Sequence, residues 1–179
     1  EKEMLYFNSA EQLFLSSNYQ KALVSLQKYL DVYPNGKNAY KADFYMAESY
    51  RAMDMKEQAC DCYEVVISGG QSAFVEMSML NYSSLSYKLE RWDDAYGGYE
   101  ALFAAAKIDE NRFLAKVGMM RSAFKGRQFA KAITGAEALT NDHRADASLR
   151  QEASYVMAKS YMAQSRRDEA LAILSKLAE

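Results

Sequence analysis

Alanine recurs along this chain at a nearly constant interval: Ala22, Ala59, Ala95, Ala132 and Ala170 stand 37, 36, 37 and 38 residues apart. Each closes a similar phrase, as in Asn18-Tyr19-Gln20-Lys21-Ala22, Arg91-Trp92-Asp93-Asp94-Ala95 and Gln128-Phe129-Ala130-Lys131-Ala132. Self-similarity at a fixed period means that one supersecondary unit has been stacked several times. Stacked repeats build extended concave surfaces, which are suited to binding more than to catalysis.

Helical periodicity divides the chain into ten segments, approximately 3–17, 20–33, 38–53, 56–68, 72–89, 92–107, 110–125, 128–140, 147–164 and 167–178. Within them apolar residues return every three or four positions. Ala22, Leu23, Leu26, Tyr29, Leu30 and Tyr33 form one stripe, as an amphipathic helix requires. Stop signals follow the second, fourth and eighth segments: Pro34-Asn35-Gly36, Gly69-Gly70 and Asn141-Asp142-His143. No useful stretch alternates with period two, so the fold class is all-α. Short connections make consecutive helices antiparallel neighbours. The alanine after each turn then has a mechanical role, because a larger side chain at a tight helix crossing would force the backbones apart.

Charge and composition remove several function classes. Lysine and arginine number 22 against 24 acidic residues, a formal net charge of −2, which gives no support to a nucleic-acid footprint. No run of eighteen apolar residues is present to span a membrane. The N-terminus lacks a charged-then-apolar leader, and Glu1 stands where a start Met would be; a leader or a longer N-terminal part removed from the chain fits this. Cys60 and Cys62 are two residues apart, which on a helix turns them to nearly opposite faces. They are read as inert thiols, with no partner pair for zinc.

Catalytic and metal-binding constellations are absent. His143 is alone in a polar loop, and acidic pairs such as Asp93-Asp94 lie at helix starts, where they complement the helix dipole. Gly97-Gly98 falls inside a helix, at a propensity cost of roughly 2 kcal/mol relative to alanine, so close helix contact is expected there. Most of the fourteen tyrosines stand at repeat-phased positions and read as core.

The residues resemble tetratricopeptide repeats. Ala10, Leu13, Tyr19, Ala22 and Pro34 in the first unit, Ala47, Tyr50, Ala59 and Tyr63 in the second, and Ala158, Tyr161 and Ala170 in the fifth stand where that family keeps small and aromatic residues. Met46-Ala47-Glu48-Ser49-Tyr50 aligns with Met157-Ala158-Lys159-Ser160-Tyr161, 111 residues away. In the third and fourth units, Tyr87 to Trp92 and Phe124 to Phe129 read as turns shorter by one residue, with Ser83, Ser84 and Gly118 as candidate small residues. The resemblance implies a right-handed superhelical solenoid of about five hairpins, with units near 3–36, 38–70, 72–108, 110–143 and 147–179. These form a single repeat domain, read as part of a longer chain. Phrases between Tyr19 and Tyr50 are also similar to repeat proteins of the bacterial cell envelope, of the outer-membrane assembly and Tol–Pal-associated kinds, which implies a periplasmic or outer-membrane-associated setting, with the cytoplasm as the alternative.

In that family the first helix of each unit lines the concave face, one turn either side of the small residue. Carried over, the resemblance gives Phe7, Glu11 and Phe14, then Phe44, Glu48 and Arg51. Asn81 and Lys88, then Ser122 and Lys125, then Tyr155, Lys159 and Met162 follow. The implied function is a non-enzymatic scaffold that binds a protein or peptide segment and needs no cofactor. Lys88, Lys125 and Lys159 would form a row for an acidic peptide or a chain-terminal carboxylate, with Asn81 holding peptide backbone. The alternative is a carbohydrate- or cell-wall-binding module using Phe7, Phe44, Tyr45 and Tyr155. An uncovered apolar face on the last helix (Leu171, Leu174, Leu177) adds an expectation of further chain or self-association there.

Overall fold

The computed structural model describes residues 1–70 and 73–179. Among them the regular elements are ten α-helices and no strand: α1 (Lys2–Leu15), α2 (Tyr19–Val32), α3 (Ala39–Ala52), α4 (Lys56–Ser68), α5 (Val75–Lys88), α6 (Trp92–Ala105), α7 (Asp109–Lys125), α8 (Phe129–Thr140), α9 (Ala147–Ala163) and α10 (Arg167–Leu177). The helix expected from residue 72 begins at Val75, and residue 72 itself lies outside the described residues. The chain forms two compact units, Glu1–Leu85 and Ser86–Glu179. In the first, α1 packs on α2, α2 on α3, and α3 on α4; in the second, each of α6 to α9 packs on the next.

The five hairpin turns are the same object. Ser17, Asp54, Glu90, Arg127 and Ser165 have φ between 59° and 63°, each five residues before a periodic alanine. The residue after each one donates its N–H to the carbonyl five positions back. These bonds run Asn18 to Leu13, Met55 to Tyr50, Arg91 to Ser86, Gln128 to Ala123 and Arg166 to Tyr161, at 2.8–2.9 Å. This closure satisfies carbonyls that a helix end leaves orphaned. The shortening expected before Trp92 and Phe129 is therefore absent. Tyr87 and Phe124 stand eight residues before their alanines, level with Arg51 and Met162 rather than with Tyr50 and Tyr161.

The turns fix the register of each hairpin. Twelve residues before each periodic alanine stand Ala10, Ala47, Ser83, Met120 and Ala158, and all five are fully buried, as are the alanines themselves. Met120 is the exception in size. Opposite it, α8 carries Gly135, where an added Cβ would lie 3.2 Å from the Met120 Cα. The small side chain has moved from α7 to α8, and the backbones still meet. Gly118 is not the crossing residue: its missing Cβ is the seat of the Tyr99 ring, which an added carbon would meet at 2.5 Å. Of the pair Gly97-Gly98, Gly97 is not the residue that makes a close contact, since nothing lies within 4 Å of a Cβ built there.

Around the fourth crossing the core continues through Val117, Ala123, Ala136, Leu139, Ala153 and Val156. On α10 the apolar face stays open, with Leu171, Leu174 and Leu177 all exposed. A left-handed conformation at a non-glycine residue costs roughly 1–2 kcal/mol. Glu90→Gly should therefore raise the melting temperature by about 2–4 °C, and Glu90→Val should lower it. Thermal unfolding followed by circular dichroism checks both.

Candidate functional site

The first helix of each hairpin carries a residue one position past the crossing: Glu11, Glu48, Ser84, Arg121 and Lys159. That row is acidic in Glu1–Leu85 and basic in Ser86–Glu179. What each side chain can offer a ligand depends on its existing partners.

In the first unit both carboxylates are engaged. Glu11 accepts the Tyr45 hydroxyl at 2.7 Å and pairs with Lys41 at 3.6 Å. Glu48 accepts the Tyr63 hydroxyl, the Asn81 amide at 3.1 Å, and the Arg51 guanidinium at 3.0 and 3.3 Å. Burial, then the facing carboxylate, pushes the Tyr45 and Tyr63 hydroxyls far up from the ordinary phenol range. They stay protonated and act as fixed donors. Asn81 also donates to the Tyr63 oxygen at 3.2 Å, so its amide group is held within the stack.

Phe7 and Phe44 do not reach an open face. Phe7 is 2% exposed and packs edge-on to Tyr29 and parallel to Tyr45. Phe44 is 8% exposed, stacked on Phe74 at 4.3 Å and edge-on to Tyr63. Tyr45 is buried and lies parallel to Phe14 at 4.2 Å. Neighbouring segments of the same unit supply enough aromatic surface to cover these rings, so they serve the core. Arg51 keeps an exposed flank while it holds Glu48.

The second unit is more open. Lys88 and Lys125 are exposed, each five residues past its crossing position. Arg121 binds Glu152 with two hydrogen bonds, 2.8 and 2.7 Å, tying α7 to α9. Tyr155 is 49% exposed and Met162 48%, and the Lys159 ammonium sits over the Tyr155 ring at 5.8 Å. Lys159 stands one helical turn before the level of Lys88 and Lys125 in its own hairpin. Ser122 is buried, and its hydroxyl has no hydrogen-bond partner; it faces the core rather than a groove. The face thus presents Lys88, Lys125, Lys159, Tyr155 and Met162 with half-buried Phe124.

Tyr45 and Asn81 both stand two residues before the next crossing position, where each meets the acidic side chain of the preceding hairpin. That relay, and the Glu152 partner of Arg121, are visible only once the register is fixed. Elsewhere, Asp142 is buried under Lys116 at 2.7 Å and the Arg144 backbone N–H at 2.9 Å. These hold its carboxyl well below the usual range. His143 is almost fully exposed, and among the described residues no cluster of His, Cys, Asp and Glu is arranged for a metal ion. Neither Cys60 nor Cys62 is in a disulfide.

The tetratricopeptide repeat model matches residues 41–68 and 152–179. Over those two stretches the chain is similar to tetratricopeptide repeats. The two matched repeats begin 111 residues apart, three periods of the alanine spacing, and they hold the crossing pairs Ala47/Ala59 and Ala158/Ala170. No curated protein matches the sequence. Among solved structures, YrrB, described as a TPR protein with an unusual peptide-binding site, superposes with a TM-score of 0.70 at 20% identity, covering 99% of this chain and 86% of that one. MamA from Desulfovibrio magneticus RS-1 gives 0.63 at 16% identity, covering 99% and 94%. A set of nearly identical TPR-like repeats from Podosopora anserina gives 0.57 at 16% identity, covering 99% and 93%. These likenesses establish the all-α repeat fold over the length of the chain.

One half-buried carboxyl stands out against the paired ones. Burial pushes Asp43 on α3 up to about 6, and its charge helps to push the neighbouring Cys62 thiol on α4 up to about 11, after burial itself. A carboxyl whose folded pKa lies above its unfolded value near 3.9 stabilises the fold most below that value. That stability is lost as pH rises through 6. Discounted for partial solvation, the penalty at neutral pH is on the order of 1 kcal/mol. Asp43→Asn should therefore melt about 2–4 °C higher at pH 7.5, with the gain vanishing near pH 4. Melting curves across that range check the sign.

Proposed function

We propose that this protein is a non-enzymatic interaction scaffold whose Ser86–Glu179 unit binds an acidic peptide segment along the first helices of its hairpins. The observation that carries the reading is the open basic face of Lys88, Lys125 and Lys159, with Tyr155 and Met162 exposed beside them. Exposed ammonium groups recruit carboxylates from a distance and are screened by salt. The half-exposed ring and thioether supply apolar contact for the stem of a bound chain. The peptide-binding site described for YrrB supports a peptide as the class of partner for this fold.

The acidic face of Glu1–Leu85 fits this assignment poorly, because Glu11 and Glu48 already hold tyrosine hydroxyls and cations. A carbohydrate platform would need several open rings. Of Phe7, Phe44, Tyr45 and Tyr155, only Tyr155 is exposed. The likeness of the Tyr19–Tyr50 stretch to bacterial envelope repeat proteins supports that compartment as the setting, and it is the sole support for it.

An oligoglutamate peptide is the direct probe, with oligolysine as control. The double variant Lys88→Glu with Lys125→Glu should weaken oligoglutamate binding about tenfold and flatten its salt dependence, with helicity unchanged. Fluorescence anisotropy at two salt concentrations reads this out. Unaltered affinity would leave the basic face without a role in binding.

A further inference from the structure

A cleft of about 370 Å³ opens in the Ser86–Glu179 unit between α6 and α8, floored by α7. Tyr96 and Phe103 wall it from α6, and Met119 lies beneath. Along α8 it is edged by Ala130, Thr134, Gly135 and Ala138. The volume is within the range of ligand-holding pockets. Its origin is the unusual fourth crossing. Gly135 lets the α8 backbone settle onto Met120, and the glycine with its small neighbours leaves that side of α8 without bulk.

The cleft is not part of the basic face described above. At 100° per residue, Lys116 and Met119 lie roughly half a turn around α7 from Arg121 and Lys125. No residue of the Lys88–Lys125–Lys159 row lines it.

Its charge is one-sided: the two charged residues lining it are Lys116 and Lys131. The Lys131 ammonium sits 4.7 Å over the Tyr96 ring at the start of α8. Lys116 stands toward the far end of α8, paired with Asp142, which the Arg144 guanidinium also approaches. From Lys131 to Ala138 the cleft follows about two helical turns, roughly 10 Å. Glu100, one turn after Tyr96, is the carboxylate that acts on the Tyr96 hydroxyl, and it does not line the cleft.

We propose that this cleft is a second docking site, for an amphipathic helix of a partner protein. Such a helix would place two large apolar side chains, one turn apart, over Met119 and Gly135. Acidic residues at the Lys131 end would meet that ammonium, while at the other end Lys116 already holds Asp142. Helix-in-groove recognition uses this pattern of i and i+3 or i+4 anchors, and Lys131 sets the sign of charge the helix must carry.

The test is titration of the isotope-labelled chain, followed by amide NMR, with a synthetic helical peptide carrying two leucines one turn apart between terminal glutamates. The expected result is saturable shifts at Tyr96, Thr134 and Gly135, at least tenfold weaker when the glutamates are replaced by lysines and absent when the leucines are replaced by alanines. Thr134→Trp, at an exposed position, should fill the cleft and abolish the shifts, and Lys131→Glu should reverse the preference toward the lysine peptide. Shifts confined to Lys125 and Lys159, equal binding of both charge versions, or shifts that survive Thr134→Trp would overturn the proposal while leaving the basic face untouched. Shifts at the cleft that follow the protein's own concentration without peptide would identify a second copy as the occupant, and would also overturn it.

Discussion

Where the two helices of a hairpin cross, there is room for little more than a Cβ. Ala22, Ala59, Ala95, Ala132 and Ala170 are fully buried, and each follows by five residues a backbone in the left-handed region. The turn aims the second helix and the alanine lets it close. Overpacking a tight contact costs roughly 1–3 kcal/mol, so one volume constraint repeated along the chain determines which residues face inward. In the fourth hairpin the constraint is met differently, with Met120 on one helix and Gly135 on the other. The bulk sits on α7 and the gap on α8, and a cleft opens beside that glycine.

The same register decides the chemistry. One position past the crossing in the first two hairpins stand Glu11 and Glu48, each met by a tyrosine or asparagine from the following hairpin. These bonds exchange water for a fixed donor and are worth more when partly desolvated. They join hairpins, and they leave little of the carboxylate for a ligand. In Ser86–Glu179 the equivalent positions hold Arg121, bound to Glu152, and Lys159, resting on Tyr155. Lys88 and Lys125 remain in water. The open ammonium groups therefore lie in the Ser86–Glu179 unit.

Much of the scaffold is legible in the sequence because hydrophobic period and alanine spacing report backbone geometry directly. The helices lie close to the segments read from three- and four-residue steps. Residue type is what misleads: Tyr87 and Phe124 resemble Tyr50 and Tyr161, and matching like with like displaces the third and fourth hairpins by one residue. The turn is built from backbone hydrogen bonds to which Ser, Asp, Glu and Arg contribute equally, so no side chain announces it. Phe7 and Phe44 are expected to line a groove because they sit one turn from the crossing. Whether a ring at that level is open depends on Tyr29, Tyr45, Tyr63 and Phe74, and such cross-hairpin packing leaves no local signal. The exposed lysines are legible, since a solvated charge needs no partner to be placed.

If hairpin geometry depends on a Cβ-sized residue at each crossing, chemical denaturation of five single variants will register it. These are Ala22→Leu, Ala59→Leu, Ala95→Leu, Ala132→Leu and Ala170→Leu, measured beside the exposed controls Ala101→Leu and Ala104→Leu on α6. Every crossing variant should lose about 1–3 kcal/mol, and the controls should stay within about 0.5 kcal/mol of the parent. Crossing variants as stable as the controls would show that the hairpins tolerate bulk there and that the alanines do not set the register.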